Sequence, residues 1–231
     1  MSLLAELAII TIVGGIVSLD TTACWQVMIS QPLVSCAILG CLLGNMEMGM
    51  TMGIIMQIPW LLEMPVGGTR NSEGNLGSLI AAGMAIHFVN HSITTPNIAI
   101  VFSVLWGLIV SWLGWKFVES MRKSNAKLAY MAEKAAESTN FARIAWLNLA
   151  GIVYAFTIGA VVMITSYLLG VLVYSKFVAY VPEFFEYPFG YAKIGLLALA
   201  AGTMISMFLT RKNIIYFVGG LLITIILIFN F

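Results

Sequence analysis

Residues 31–79 read QPLVSCAILGCLLGNMEMGMTMGIIMQIPWLLEMPVGGTRNSEGNLGSL. The stretch is apolar enough for lipid, yet it is interrupted in ways that an unbroken lipid-facing helix does not tolerate. Gly40 and Gly44 form one small-xxx-small pair and Gly49 and Gly53 a second, with Asn45 and Glu47 between them. Such pairs let backbones approach closely in a bilayer. Their spacing predicts two short, tightly packed arms joined by a polar turn, although ordinary helix packing would also use these glycines. Past the second arm come Gln57-Ile-Pro59 and then Glu63-Met-Pro65-Val-Gly67-Gly68. The prolines remove backbone donors and the glycine pair frees dihedrals. Broken backbone at membrane depth persists only where protein or a watery cavity satisfies it. Discontinuous helices of this kind are how many transporters build a substrate site.

The rest of the chain supplies the membrane setting. Of 231 residues, 61% are apolar and 9% charged, whereas a soluble globule carries roughly a quarter charged residues. Eleven Lys and Arg with ten Asp and Glu cannot coat a water-facing surface of this size. A soluble enzyme and a disordered chain are thereby excluded. A net charge of +1 offers no field for a phosphate backbone, so nucleic acid is not a partner. The partner implied is the lipid bilayer. Apolar runs fall at 3–19, 30–62, 76–94, 97–115, 144–173, 191–210 and 213–231. A span needs about 20 apolar residues. The expected fold is therefore all-α and polytopic, one membrane-embedded domain over 1–231 with about six to eight membrane elements, some re-entrant or broken. The overlong 144–173 run implies tilt, a kink near Gly151 or Gly159, or partly interfacial seating. The opening MSLLAELAII lacks a basic leader region and reads as a retained first span.

Six of the eleven basic residues lie between Lys116 and Arg143. By the positive-inside rule this connector, about 116–143, faces the cytoplasm. Arg211 and Lys212 then return to the same side, while Lys176, Glu183 and Glu186 lie outside. The connector has helix-forming composition, with Glu119 and Lys123 in the favourable i,i+4 order. It reads as a solvated amphipathic link or as a docking element for a cytoplasmic partner. Cys24, Cys36 and Cys41 lack metal-binding spacing and read as small packing residues. The methionines clustered at 46–56 read as gap fillers.

Recognising a sugar requires groups that donate to and accept from its hydroxyls, with an aromatic face for its C–H side. Gln57, Glu63, Asn71 and Glu73 offer the first, and Trp60 or Trp25 the second. Glu73 with Arg70 would equally make an ion pair in a surface turn, and Gln57 a helix–helix hydrogen bond. His87 and His91, in MAIHFVNHSITTPN, are spaced i,i+4. A metal pair or proton relay would use that spacing, as would an intramembrane enzyme. No HExxH and no third ligand at suitable spacing accompanies them, so they read as packed or interfacial. There is no P-loop lysine, nucleophile elbow or dinucleotide fingerprint. Neither a catalytic residue nor a cofactor or metal is expected.

The ordered set from Asp20 to Ser78 resembles the mannose/sorbose-type IIC membrane subunit of the bacterial sugar phosphotransferase system. The similarity is carried by Asp20, Gln31-Pro32-Leu33-Val34, Leu39-Gly40-Cys41-Leu42-Leu43-Gly44-Asn45, Gly49-xxx-Gly53, Met56-Gln57 and Val66-Gly67-Gly68. It continues more weakly through Lys134-Ala-Ala-Glu137, Ile144-Ala-Trp146 and Val181-Pro182-Glu183. The resemblance implies a multi-pass sugar permease of the bacterial cytoplasmic membrane, with re-entrant hairpins. It implies a IID membrane partner, cytoplasmic IIB and IIA subunits, an oligomeric assembly, and no phosphoryl-carrying residue on this chain. Gln57, Glu63, Asn71 and Glu73 would then contact the sugar, with Asp20 and Asn45 as secondary contacts. Three positions depart from the family pattern: Gln57 stands for Glu, Asn45 for Asp, and Ser72-Glu73 for Pro-Asp. The two neutral amides motivate an alternative, a degenerate homologue serving as a membrane scaffold or sensor.

Overall fold

Ser2 opens the first helix by accepting the Ala5 N–H on its Oγ, and helix then follows helix along the chain. The computed structural model describes residues 1–60, 73–178, 180–208, 210, 213–220 and 222. The elements are α1 (Leu3–Thr22), α2 (Pro32–Leu42), α3 (Met46–Trp60), α4 (Gly74–Asn90), α5 (Pro96–Glu137), α6 (Phe141–Val178) and α7 (Glu186–Phe208). A single 3-10 turn, Glu183–Phe185, precedes α7, and residues 214–220 are again helical. Among the described residues there is no strand. Among those residues, three helices, α1, α5 and α6, are long and apolar enough to cross a membrane.

Helix α4 lies at the centre, apolar on every side and buried almost from end to end, as expected of a helix without a polar face. Its small residues let neighbours come close. A Cβ on Gly77 would sit 2.5 Å from the Gly107 carbonyl of α5. Helix α1 runs antiparallel to α4, with Asn75 Nδ2 donating to Thr21 Oγ1 at one end and Glu6 meeting His87 at the other. Helix α6 packs on α1, where Ser18 Oγ donates to the Ala155 carbonyl at 3.0 Å.

The α2–α3 hairpin lies against α4. Helix α2 runs parallel to it, from Cys36 Sγ donating to the Ser78 carbonyl to Asn90 Nδ2 donating to the Leu43 carbonyl. With 11 residues, α2 reaches only about 16 Å at 1.5 Å per residue, short of the roughly 30 Å hydrocarbon thickness. The arms meet where they carry no side chain: a Cβ on Gly49 would lie 2.7 Å from Gly40 Cα and 2.5 Å from the Cys36 carbonyl. Gly44 turns the chain at φ +76°, a conformation that suits glycine.

The apolar run at 97–115 does not end where its hydrophobicity does. Helix α5 continues for 42 residues, about 63 Å, because nothing between Lys116 and Glu137 stops a helix. The turn comes at Ser138–Asn140, with Thr139 at φ +51°, and Asn140 Oδ1 accepts the Arg143 N–H at the start of α6. The basic stretch 116–143 is thus the far half of a long helical hairpin. Glu119 and Lys123 form their i,i+4 ion pair on it at 2.9 Å. Gly159 of α6 serves close packing, since a Cβ there would come within 2.9 Å of the Gly14 carbonyl. The first residues of α7 are tied to those of α5: Asn97 Nδ2 donates to Glu186 Oε1 at 2.6 Å, and Thr95 Oγ1 to Oε2 of the same carboxylate.

Candidate functional site

Where α1 ends, α4 begins and α5 leaves the apolar bundle, the helices enclose a cavity of about 680 Å³, within the range of small-molecule sites. Asp20, Thr21 and Thr22 reach it from α1; Gln26, Ser30 and Gln31 from the following loop; Trp60 from α3; Glu73 and Asn75 from the start of α4; Arg122 and Asn125 from α5. The lining therefore mixes donors, acceptors and one aromatic ring. Trp60 Nε1 and Asn125 Oδ1 are buried without a hydrogen-bond partner among the described residues.

Asp20 shapes one wall. Its Oδ1 accepts the Val27 N–H and its Oδ2 the Ser30 N–H, each at 2.8 Å. The loop between carries Trp25, Gln26 and Met28 at φ 66°, 51° and 69°. Non-glycine residues held there cost roughly 1–3 kcal/mol each and persist only when their surroundings over-determine them. The Asp20 carboxylate, itself buried, supplies that restraint. Glu73 stands at the N-cap of α4, where the helix dipole favours a carboxylate. Its backbone N–H donates to the Ser111 carbonyl at 2.9 Å, and only Gly114 leaves room for its Cβ.

Of the residues singled out from the sequence, Asp20 and Glu73 line this cavity. Gln57 stands one step behind it. Its Oε1 accepts the Leu33 N–H at 3.1 Å and its Nε2 donates to Gln31 Oε1 at 3.0 Å, joining α3 to the start of α2. Asn45 lies at the other end of the hairpin. Its Oδ1 accepts the Met48 N–H, capping α3, and its Nδ2 donates to Asn90 Oδ1. Glu63 and Asn71 lie outside the described residues, as do Arg70 and the Gly67–Gly68 pair. Of the two tryptophans, Trp60 borders the cavity and Trp25 is exposed.

Sequence reading missed Arg122 and Asn125, which looked like connector residues; the missing helix stop after residue 115 was the available signal. It also missed Glu6. That carboxylate is buried and receives His87 Nδ1 at 2.6 Å, His91 Nε2 at 2.7 Å and the Tyr167 hydroxyl at 3.0 Å. A lone acid inside the first apolar run was the signal there, since an ionisable residue in a span is a functional candidate by default.

Comparison with known proteins bears on the whole chain. A model of the family described as the sorbose-specific IIC component of the PTS system matches residues 4–231. Two curated relatives are sorbose-specific EIIC components of PTS systems. The one from Klebsiella pneumoniae is 26% identical over 155 residues, covering 67% of this chain and 55% of that protein. The one from Lacticaseibacillus casei is 26% identical over 123 residues, covering 53% and 42%. The matches thus span about half the length of these relatives. Among solved structures, one described only as a membrane protein superposes with a TM-score of 0.68 at 17% identity, covering 96% of this chain and 86% of that one. A chain of the cryo-EM structure of the mannose transporter ManYZ with microcin E492 gives 0.60 at 18% identity, with the same coverage. These superpositions establish a shared fold.

Proposed function

The chain belongs to the sorbose-specific IIC component family of the phosphotransferase system, and from that membership we propose that it carries sugar across the bacterial cytoplasmic membrane in a mannose/sorbose-type system. The polar cavity between α1, α4 and α5 is the observation that supports this reading most directly. Each sugar hydroxyl both donates and accepts, and the lining offers both kinds of group. Glu73 accepts, Arg122 donates, Asn125 does both, and the Trp60 ring takes the C–H face. Glu63 and Asn71 complete the recognition from the segment joining α3 to α4. Asp20 and Gln57 act at one remove, holding the loop and the hairpin that wall the site. Asn45 secures the hairpin tip.

Transport then requires the cavity to open alternately to the two sides, and the α2–α3 hairpin is the unit that moves. The protein passes the membrane several times. The basic far half of the α5–α6 hairpin lies in the cytoplasm, on the cavity's side of the bundle. A IID subunit accompanies it in an oligomeric membrane assembly. The cytoplasmic IIB subunit, charged by IIA, phosphorylates the sugar as it emerges, and this chain carries no phosphoryl group of its own. One observation favours a second reading, a scaffold or sensor of phosphotransferase regulation: the neutral amides of Gln57 and Asn45 are both engaged within the chain.

The test is binding and uptake of a sugar panel by the chain reconstituted with its IID partner, with and without phosphorylated IIB. Glu73→Leu combined with Asn125→Leu should abolish both while the protein stays monodisperse. Unchanged uptake overturns the site. Binding by the unaltered chain with no uptake even when IIB is phosphorylated favours the sensor.

A further inference from the structure

At the end of the bundle away from the cavity, three potential metal ligands converge from parts of the chain far apart in sequence. Glu6 comes from the first turns of α1, His87 from the last turn of α4, and His91 caps that helix. One ligand atom from each lies within 4.8 Å of the other two. The i,i+4 spacing places the imidazoles on one face of α4, their ring centroids 4.6 Å apart. Both turn toward the same carboxylate, His87 Nδ1 on Oε2 and His91 Nε2 on Oε1. Glu6 is 3% exposed, His87 7%, and the rings of Phe88 and Tyr167 stand edge-on to His87.

We propose that Glu6, His87 and His91 form a binding site for a divalent transition-metal ion of the zinc type. Two imidazoles and one carboxylate form a ligand set that leaves a fourth tetrahedral position to water or another small ligand. Imidazole nitrogen suits zinc, cobalt or nickel better than magnesium or calcium, which prefer all-oxygen cages. The Tyr167 hydroxyl donates to Glu6 Oε2 and so orients the carboxylate from outside the ligand set, the part that second-layer partners play at metal sites. Metal–ligand bonds of about 2.0–2.2 Å require the donor atoms to stand roughly 3.3 Å apart, so the histidine–carboxylate contacts, now 2.6 and 2.7 Å, lengthen by about 0.6–0.7 Å on binding. His91 can supply that movement, because it sits at a helix end and its side chain is 34% exposed. The same exposure gives the ion a way in. Bound there, the ion would brace α1 against α4 at the end opposite the cavity, and the site stands whether or not the cavity binds sugar.

The test uses the full chain purified in detergent, stripped of metal and titrated with Co2+. One Co2+ per chain, with the visible absorption of a four-coordinate nitrogen and oxygen site and displacement by Zn2+, is the expected result. His91→Ala and His87→Ala should each remove that absorption. His91→Ala perturbs the least packing, so it decides the matter if His87→Ala does not fold. Tyr167→Phe should keep the absorption and weaken binding by about ten-fold. A folded chain that shows no Co2+ spectrum, or the same spectrum in both histidine variants, overturns the proposal and leaves a hydrogen-bonded acid–imidazole cluster. Loss of the ion in Tyr167→Phe as complete as in His91→Ala overturns the assignment of the three ligands.

Discussion

The α2–α3 and α5–α6 hairpins each join two helices through a short turn, one closing on glycines within the bundle and the other on a polar tip beyond it. In the first, Gly40 and Gly49 bring backbones within reach of each other, and Gln57 bonds one arm to the other. In the second, α5 and α6 run on past the apolar bundle with exposed lysines and an ion pair that is largely solvated. Lipid is as apolar as leucine, so helices within it gain little from burying side chains and must find close backbone contact and hydrogen bonds. Past the membrane surface those demands lapse, and helix propensity with solvated charge suffices. The same connection is therefore intolerant of change in one setting and permissive in the other.

Three substitutions would break or sharpen that contrast. Gly49→Val forces branched carbons into the Cys36 carbonyl and Gly40, with no flexible side chain able to yield. It should cost about 3 kcal/mol or more, read as loss of monodisperse protein or a large fall in thermal midpoint in detergent. A folded Gly49→Val chain with an unchanged midpoint would remove the close-contact account of the inner hairpin. Gln57→Leu is next. It strands the Leu33 N–H and Gln31, so thermal unfolding should report a loss of about 1–3 kcal/mol, against no change if the amide bond is incidental. The smallest effect belongs to the outer hairpin. Glu119→Ala removes an ion pair whose lysine is 71% exposed, and the midpoint should shift by no more than about 0.5 kcal/mol equivalent. A larger loss would mean that the projecting helices depend on that pair.

Much of the inner hairpin was legible beforehand. Glycines four apart on either side of a polar turn announce close packing, because only an absent Cβ permits it. The close pair, however, is Gly40 with Gly49, one from each motif, and the motifs alone do not say which glycines face each other. Gln57 shows the same division. Its amide in an apolar run signals either a sugar contact or a helix–helix hydrogen bond, but its partners lie 24 and 26 residues away, and no periodicity reports such a pairing. Arg122 and Asn125 escape sequence reading for a simpler reason: charge marks the end of the apolar run, whereas α5 continues and carries them past the mouth of the cavity.

Composition and local pattern sufficed for the solvent, the helical class and the interruption of the first third of the chain, because each follows from what a short stretch of backbone can satisfy in lipid. Which polar groups meet was decided only by the packing of α1, α4 and α5. His87 and His91 lacked a third ligand in their own neighbourhood, and it arrived as Glu6 from 81 residues away. Convergence of that kind is a property of antiparallel helices lying side by side, and sequence spacing holds no record of it.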